Sequence, residues 1–198
     1  MKRLLAYLFL VLGLFLITPS LADDIRDFEI EGMSVGDSLL DFYSKKEIES
    51  QLSKISATYT NKEIKRIYFD LSNPEIYSVL NIHFVNDSSY KIVSIGGIEY
   101  FENDMISCYA KQDQVVSDVK KTFPNALSDS LEISEHTIDQ TVKSIVRDMS
   151  IYLTNGTIYI ACTDWSKETT NKHRWTDNLG VYIQSDKFVD WINNKAYK

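Results

Sequence analysis

The dipeptide Asn155-Gly156 separates two runs, residues 144–154 and 157–163, in which apolar and polar residues alternate. Asn and Gly readily adopt the positive φ angles of the tight turns that join antiparallel strands. This stretch therefore predicts a β-hairpin. It constrains the fold more than any other pattern in the chain, because a hairpin excludes a purely parallel sheet.

Further runs predict strands over residues 64–71, 76–85, 90–100 and 179–183. A polar turn, Asn86-Asp87-Ser88, joins the second run to the third, and Gly96-Gly97 predicts a bulge or bend in the third. Short turns between successive strands are typical of an antiparallel meander.

Helices are predicted before, between and after the strands. Residues 34–54 form a helical region in two pieces, with Ser34 and then Ser44 as capping residues. Residues 112–123 carry apolar side chains at helical spacing, and Ser185 caps a C-terminal helix.

The strands and helices do not alternate as they do in parallel α/β folds. We therefore expect an α+β fold, an antiparallel β-sheet meander with N-terminal, central and C-terminal helices. Residues 23–198 are expected to form a single α+β domain. Two small α/β units, residues 23–105 and 106–198, are the alternative.

Residues 1–22 have the parts of a secretory signal peptide. Lys2 and Arg3 precede an apolar run that is short for a membrane span, and Ser20 and Ala22 suit cleavage after Ala22. An uncleaved anchor is the alternative. Cleavage predicts a periplasmic or secreted protein without a membrane span.

The mature chain would be acidic. Cleavage removes Lys2 and Arg3 from the 21 Lys and Arg and none of the 28 Asp and Glu, which leaves a formal net charge of −9. Such a chain lacks the cations that displace counterions from phosphate groups, so nucleic acid is not an expected partner.

The two cysteines, Cys108 and Cys162, both lie in the mature part of the chain. An oxidising compartment favours a disulfide between them. Each ends a short alternating apolar run, so we expect both thiols to face inward from neighbouring strands. Two buried free thiols are the alternative, and the absence of C-x-x-C spacing argues against a redox-active pair.

The tetrapeptide Gly36-Asp37-Ser38-Leu39 resembles the signature of the GDSL esterases and lipases, which would make Ser38 a nucleophile. Such a serine needs a histidine base, which that family carries in Asp-x-x-His. The residues three positions before the histidines of this chain are Leu80, Ile133 and Thr170. We therefore interpret the tetrapeptide as the start of a helix, with Asp37 in its first turn.

The longer stretch "GMSVGDSLLDF", residues 32–42, resembles the opening of the small α+β domains of SmpA/OmlA outer-membrane assembly lipoproteins and of β-lactamase-inhibitor-like proteins. That resemblance implies helices that precede an antiparallel sheet. The chain departs from the lipoproteins because it lacks their lipidated cysteine. As a whole it is similar to exported bacterial proteins without an assigned function.

Residues 164–177 form a long polar segment with the composition of a binding site. The candidate binding residues are Trp165, His173, Arg174 and Trp175, because Trp and Arg dominate the energetics of many interfaces. The usual burial of tryptophan near loop ends favours the other interpretation, in which both tryptophans cover the core while Lys172 and Arg174 are solvated. No metal site or cofactor is predicted, because the histidines and cysteines lack ligand spacing, and His83 is expected to be exposed.

These patterns favour an exported, non-enzymatic protein that contacts an envelope or secreted protein partner through its sheet face or the 164–177 segment. The alternatives are a serine hydrolase that uses Ser38 and a small-ligand carrier with a pocket between helices and sheet. The sequence does not specify the oligomeric state.

Overall fold

The structure, a computed structural model, describes residues 24–55, 59–71, 76–137, 139 and 143–198. The signal peptide predicted over residues 1–22 lies outside this range. No helix in the described ranges is both long and apolar enough to cross a membrane. The strands are β1 (Ile64–Asp70), β2 (Val79–Val85), β3 (Ile92–Tyr100), β4 (Leu127–Ser128), β5 (Glu132–Glu135), β6 (Ile145–Leu153), β7 (Gly156–Asp164) and β8 (Asn178–Ser185).

All eight strands belong to one antiparallel sheet, which confirms the predicted α+β class. The order is β1-β2-β3-β8-β7-β6, and both β4 and β5 pair with the outer edge of β6. β8 lies between β3 and β7. One sheet therefore contains strands from both of the proposed sub-units.

The predicted hairpin joins β6 to β7, but its turn is one residue earlier than Asn155-Gly156. Leu153 pairs with Gly156, so the two turn residues are Thr154 and Asn155. Asn155 has a φ of 68°, which Asn tolerates better than most residues. Gly156 lies in β7, where a Cβ atom would be 2.4 Å from the carbonyl oxygen of Gln184.

In the part of the chain that the structure describes, four α-helices accompany the sheet: α1 (Lys45–Ser53), α2 (Met105–Thr122), α3 (Lys167–His173) and α4 (Asp186–Asn194). α2 packs on β7 and β8 from one side of the sheet, which we call the helix face. The main hydrophobic core lies on this face and contains, among others, Ile67, Ile82, Ile95, Val116, Val119, Ile158 and Ile183.

A disulfide between Cys108 and Cys162 links α2 to β7, with the two Cα atoms 6.2 Å apart. The predicted pairing is confirmed, but the expected strand around Cys108 is wrong. Cys108 lies in the first turns of α2, which begins earlier than predicted because the Asp104 carboxylate accepts a hydrogen bond from the Ser107 amide at 3.1 Å.

The N-terminal region is less helical than predicted. Its first piece is a single 3₁₀ turn, Leu39–Asp41, and the capping residue is Ser38 rather than Ser34. The second piece is α1, and its predicted capping box is confirmed, since Ser44 and Glu47 each bond the other's backbone amide. Ile25, Ile30 and other N-terminal side chains are buried in the main core.

Candidate binding groove

The side of the sheet opposite α2 forms a broad groove of about 1070 Å³, and we call this side the groove face. Its floor crosses six strands. Tyr68, Asn81, Tyr182 and Tyr159 form a row of paired positions that passes through Gly96, and Asp148 continues the floor on β6. Six strands at their usual spacing span about 24 Å. The floor is therefore long enough for about seven residues of an extended chain.

Glycines give the floor its shape. A Cβ atom would lie 2.1 Å from the Tyr182 ring at Gly96 and 2.3 Å from it at Gly180. The Tyr182 ring therefore lies along the sheet over these two backbones. The bulge expected at Gly96-Gly97 is absent there, and the register shift of this strand pair lies between His83 and Phe84.

Four aromatic rings form one wall of the groove. The ring centroids of Trp165 and Trp175 are 4.6 Å apart, His136 contacts Trp165 at 4.4 Å, and His173 stacks on Trp175 at 4.7 Å. All four line the groove. Arg174 follows the last residue of α3, has a left-handed backbone conformation and lies beside these rings.

The structure thus brings together all four residues singled out from the sequence, Trp165, His173, Arg174 and Trp175. The helix α3 makes up most of the segment between Trp165 and Trp175, and the sequence did not predict it. Both tryptophans are half-buried and belong to neither hydrophobic core of the described residues. They face the groove and do not form a lid over the core.

Buried polar contacts hold this wall in place. The Asp139 carboxylate accepts hydrogen bonds from the hydroxyl of Ser144 and, at 3.0 Å, from the hydroxyl of Ser166 at the start of α3. Asp177 accepts a 2.8 Å bond from the Trp165 amide. These bonds fix the backbone on both sides of the tryptophan pair.

The opposite wall is α4. Its Phe188 ring lies 4.5 Å from the imidazole of His83, and the Tyr59 hydroxyl lies 2.8 Å from His83 Nε2. His83 is only 6% exposed, so the expectation of an exposed histidine is wrong: α4 covers its side of β2. Burial, with the nearby Arg66 charge, lowers the pKa of His83 to about 3, and the ring is neutral at physiological pH.

Three buried polar atoms in the groove form no hydrogen bond with a described residue: Arg66 Nε, Asn81 Oδ1 and His83 Nδ1. Two others, Glu99 Oε2 and Trp191 Nε1, belong to residues that do not line it. The three groove residues lie on β1 and β2, where Arg66 pairs directly with His83. Sequence reasoning missed them because only the register shows that they are neighbours.

Three tyrosines of the groove, Tyr59, Tyr159 and Tyr182, are neutral hydrogen-bonding groups. Burial raises the pKa of Tyr182 and of Tyr159 well above the ordinary value, and the Asp148 carboxylate adds to the effect at Tyr159. Burial also raises the pKa of Tyr59 to about 12. The floor therefore presents aromatic rings and hydroxyl groups that can donate hydrogen bonds.

Ser38 lies apart from this groove. Its hydroxyl donates to the carbonyl oxygen of Ser89 at 2.8 Å and accepts from the Leu40 amide. The three histidines of the chain, His83, His136 and His173, all line the groove, and Ser38 does not. Within the described residues, no group of three or more His, Cys, Asp or Glu could hold a metal ion.

Comparisons with models of protein families, with curated proteins and with solved structures find no match to this chain. The interpretation of the groove therefore rests on its own residues.

Proposed function

We propose that this is an exported, non-enzymatic binding protein whose groove takes a segment of an envelope or secreted protein. The leader predicted over residues 1–22 supports export. The Cys108–Cys162 disulfide is consistent with an oxidising compartment.

The composition and length of the groove carry this proposal. Tyrosine, tryptophan and arginine, the residue types that contribute most to protein interfaces, line it from one end to the other. Tyr182 and Tyr159 provide flat, rigid surfaces that bind with little loss of side-chain entropy. Tyr100, at the groove, is 49% exposed although it is a large aromatic residue.

The size of the groove favours a polymer segment over a compact small molecule. Its volume of about 1070 Å³ exceeds the range of about 300–1,000 Å³ that is usual for small-molecule pockets. The small-ligand carrier stays as the second candidate, because the aromatic lining also suits such ligands. The hydrolase receives no support from the contacts of Ser38.

Site-specific photo-crosslinking tests the proposal. A photoreactive phenylalanine analogue replaces Tyr100 in the groove or, as the control, Ile106 on the outer surface of α2, where the side chain is 85% exposed. Both proteins are produced in the native host and irradiated. We expect one envelope or secreted protein to be crosslinked from position 100 and not from position 106.

The crosslinked region is then synthesised as a peptide and titrated into the purified protein. We expect a change in tryptophan fluorescence, because Trp165 and Trp175 line the groove, and competition with the crosslink at position 100. Equal capture from both positions, or no protein captured, would contradict the proposal. Crosslinking to a small molecule instead would establish the carrier.

A further inference from the structure

The charges in the groove are distributed unevenly along its length. Arg66 lies at the β1–β2 end with Lys54 nearby, whereas Asp148 on β6 and Glu135 on β5 lie at the other end. Arg174 is the one further charged residue among the described lining, and it lies on the wall between β7 and β8. The groove thus runs from a basic end to an acidic end.

The charged groups at the two ends have no ionic partner within the described chain. Arg66, Asp148 and Glu135 occur in none of its ion pairs, which are the pairs Arg26–Asp24, Lys45–Glu49, Lys121–Asp118, Arg147–Asp113, Lys187–Glu63 and Lys195–Asp190. The Arg66 guanidinium instead lies 5.5 Å from the ring centroid of Tyr59 and 5.3 Å from that of Tyr68.

The basic end has the donors that a carboxylate needs. A guanidinium binds a carboxylate with two parallel N–H donors, and the Nε atom of Arg66 is buried without a partner in the described ranges. His83 Nδ1 is a second buried nitrogen without a partner among the described residues. It can donate a hydrogen bond when the Tyr59 hydroxyl, 2.8 Å away, donates to His83 Nε2.

The part of the floor next to Arg66 suits a polypeptide. On β2, Asn81 Oδ1 is a buried acceptor without a partner among the described residues, and a backbone N–H is the donor that an extended chain supplies at regular intervals. Tyr182 and Tyr159 follow in the same row. Their ring faces can pack against side chains of a bound segment.

Building on the proposed function, we propose that the groove recognises an extended peptide with an acidic group at one end and a basic group about six to eight residues away. The acidic group binds Arg66, and the basic group lies near Asp148 and Glu135. The spacing follows from about 24 Å of floor and about 3.4 Å per extended residue.

Selection from a phage-displayed library of random dodecapeptides tests this directly. The purified mature protein, with its disulfide intact, is the immobilised target. We expect enriched sequences to contain Asp or Glu and, six to eight positions away in one constant direction, Lys or Arg. Enrichment of peptides without this charge pattern would overturn the inference and leave the proposed function standing. Failure of all peptides combined with binding on a glycan array would overturn both.

A charge swap locates the acidic group. For the best enriched peptide, we expect Arg66→Glu to weaken binding about tenfold or more, and a peptide with its acid replaced by Lys to recover affinity for this variant. Lys120→Glu is the matched control, because it makes the same charge change on the exposed surface of α2 and should leave the affinity unchanged.

If Arg66→Glu does not fold, binding of the Lys-substituted peptide to the unmodified protein gives an independent result. We expect this peptide to bind the unmodified protein about tenfold or more weakly than the acidic peptide does. Equal binding of the acidic and the Lys-substituted peptide would contradict the assignment to Arg66.

Discussion

Two arginines of the same sheet show that polar side chains form different contacts on its two faces. Arg147 on the helix face pairs with Asp113 at 2.8 Å, donates to Gln112 Oε1 at 3.1 Å and lies over the Tyr109 ring. Arg66 on the groove face also lies against aromatic rings. It forms no ion pair with any described residue, and its Nε atom has no partner.

The uncharged polar residues differ in the same way. Gln112 is a fully buried residue of α2, and its Nε2 donates to the carbonyl oxygens of Arg147 and Ile160 at 2.7 and 3.2 Å. Asn81 and His83 on the groove face each have a buried atom without a partner among the residues that the structure describes. An unpaired buried polar atom costs about 1–3 kcal/mol. Three such atoms, on Arg66, Asn81 and His83, lie on the groove face, where a ligand can offset their cost. Among the described residues of the sheet, the helix face has one, Glu99 Oε2.

Removal of the disulfide should have the largest effect and should act through the helix face alone. The Cys108–Cys162 bond joins residues that are 54 positions apart, and closing a loop of that size stabilises the folded state by about 4 kcal/mol. We expect the Cys108→Ala/Cys162→Ala variant to lose about this much free energy of unfolding in urea denaturation.

Reductant provides the control for this prediction. It should lower the stability of the unmodified protein to a similar degree and leave the double variant unchanged. Peptide binding in the groove should persist in the double variant at temperatures where it is folded. Loss of binding without unfolding would show that the two faces are energetically coupled.

The two arginines themselves give the most direct test. Arg147→Met leaves Gln112 Oε1 without its donor, so we expect a loss of about 1–3 kcal/mol in the free energy of unfolding. Arg66→Met removes an unpaired Nε atom while it keeps a long apolar stem against Tyr59 and Tyr68. We expect its stability to stay within about 0.5 kcal/mol of the unmodified protein.

Urea denaturation of both variants at the same pH makes this comparison. Methionine at both positions keeps the side-chain length similar. Equal losses would mean that Arg66 has a structural partner. The two faces would then not differ in how much their arginines contribute to the free energy of unfolding.

Local patterns predicted the antiparallel sheet and two of the helix starts. Ser44 and Ser185 cap α1 and α4 as expected, because a capping bond joins residues only three positions apart. The start of α2 was missed: the alternation of Ile106 and Cys108 is too short to distinguish a strand from a helix. The polar Gln112 also interrupts the apolar spacing that the helix buries at Cys108, Val116 and Val119.

The site was predicted only where it is continuous in sequence. Trp165, His173, Arg174 and Trp175 attract attention by composition within one segment. The floor depends on the pairing of distant strands, and no local pattern specifies that Tyr182 lies over Gly96. His83 alternates like an exposed residue, and its burial follows from α4, which begins about a hundred residues later in the chain.

The burial of His83 predicts a pH dependence that originates on the groove face. The pKa of His83 is about 3 in the folded protein against 6.5 for an ordinary histidine. Below pH 6.5 the unfolded chain therefore binds a proton that the folded protein does not, and stability falls as the pH falls. One proton corresponds to about 1.4 kcal/mol per pH unit.

The His83→Gln variant isolates this contribution. Between pH 7.5 and pH 5, we expect the unmodified protein to lose about 2 kcal/mol more than the variant, as measured by urea denaturation at each pH. His136, whose pKa is also lowered by burial, is present in both proteins, so its effect cancels in the difference. Parallel pH profiles would show that the imidazole is protonated in the folded state.

Ser38 should give a small loss of stability, because its hydroxyl is hydrogen-bonded, as Gln112 and Arg147 of the helix face are. It donates to the Ser89 carbonyl and caps a single 3₁₀ turn, so Ser38→Ala should cost about 0.5–1 kcal/mol in the free energy of unfolding. Ser44→Ala, at the cap of α1, is the matched control and should cost a similar amount. Both variants, like the unmodified protein, should hydrolyse p-nitrophenyl acetate no faster than buffer alone does. Ester turnover that Ser38→Ala abolishes and Ser44→Ala retains would place a nucleophile outside the groove, and the satisfied hydrogen bonds of Ser38 would then have to open during the reaction.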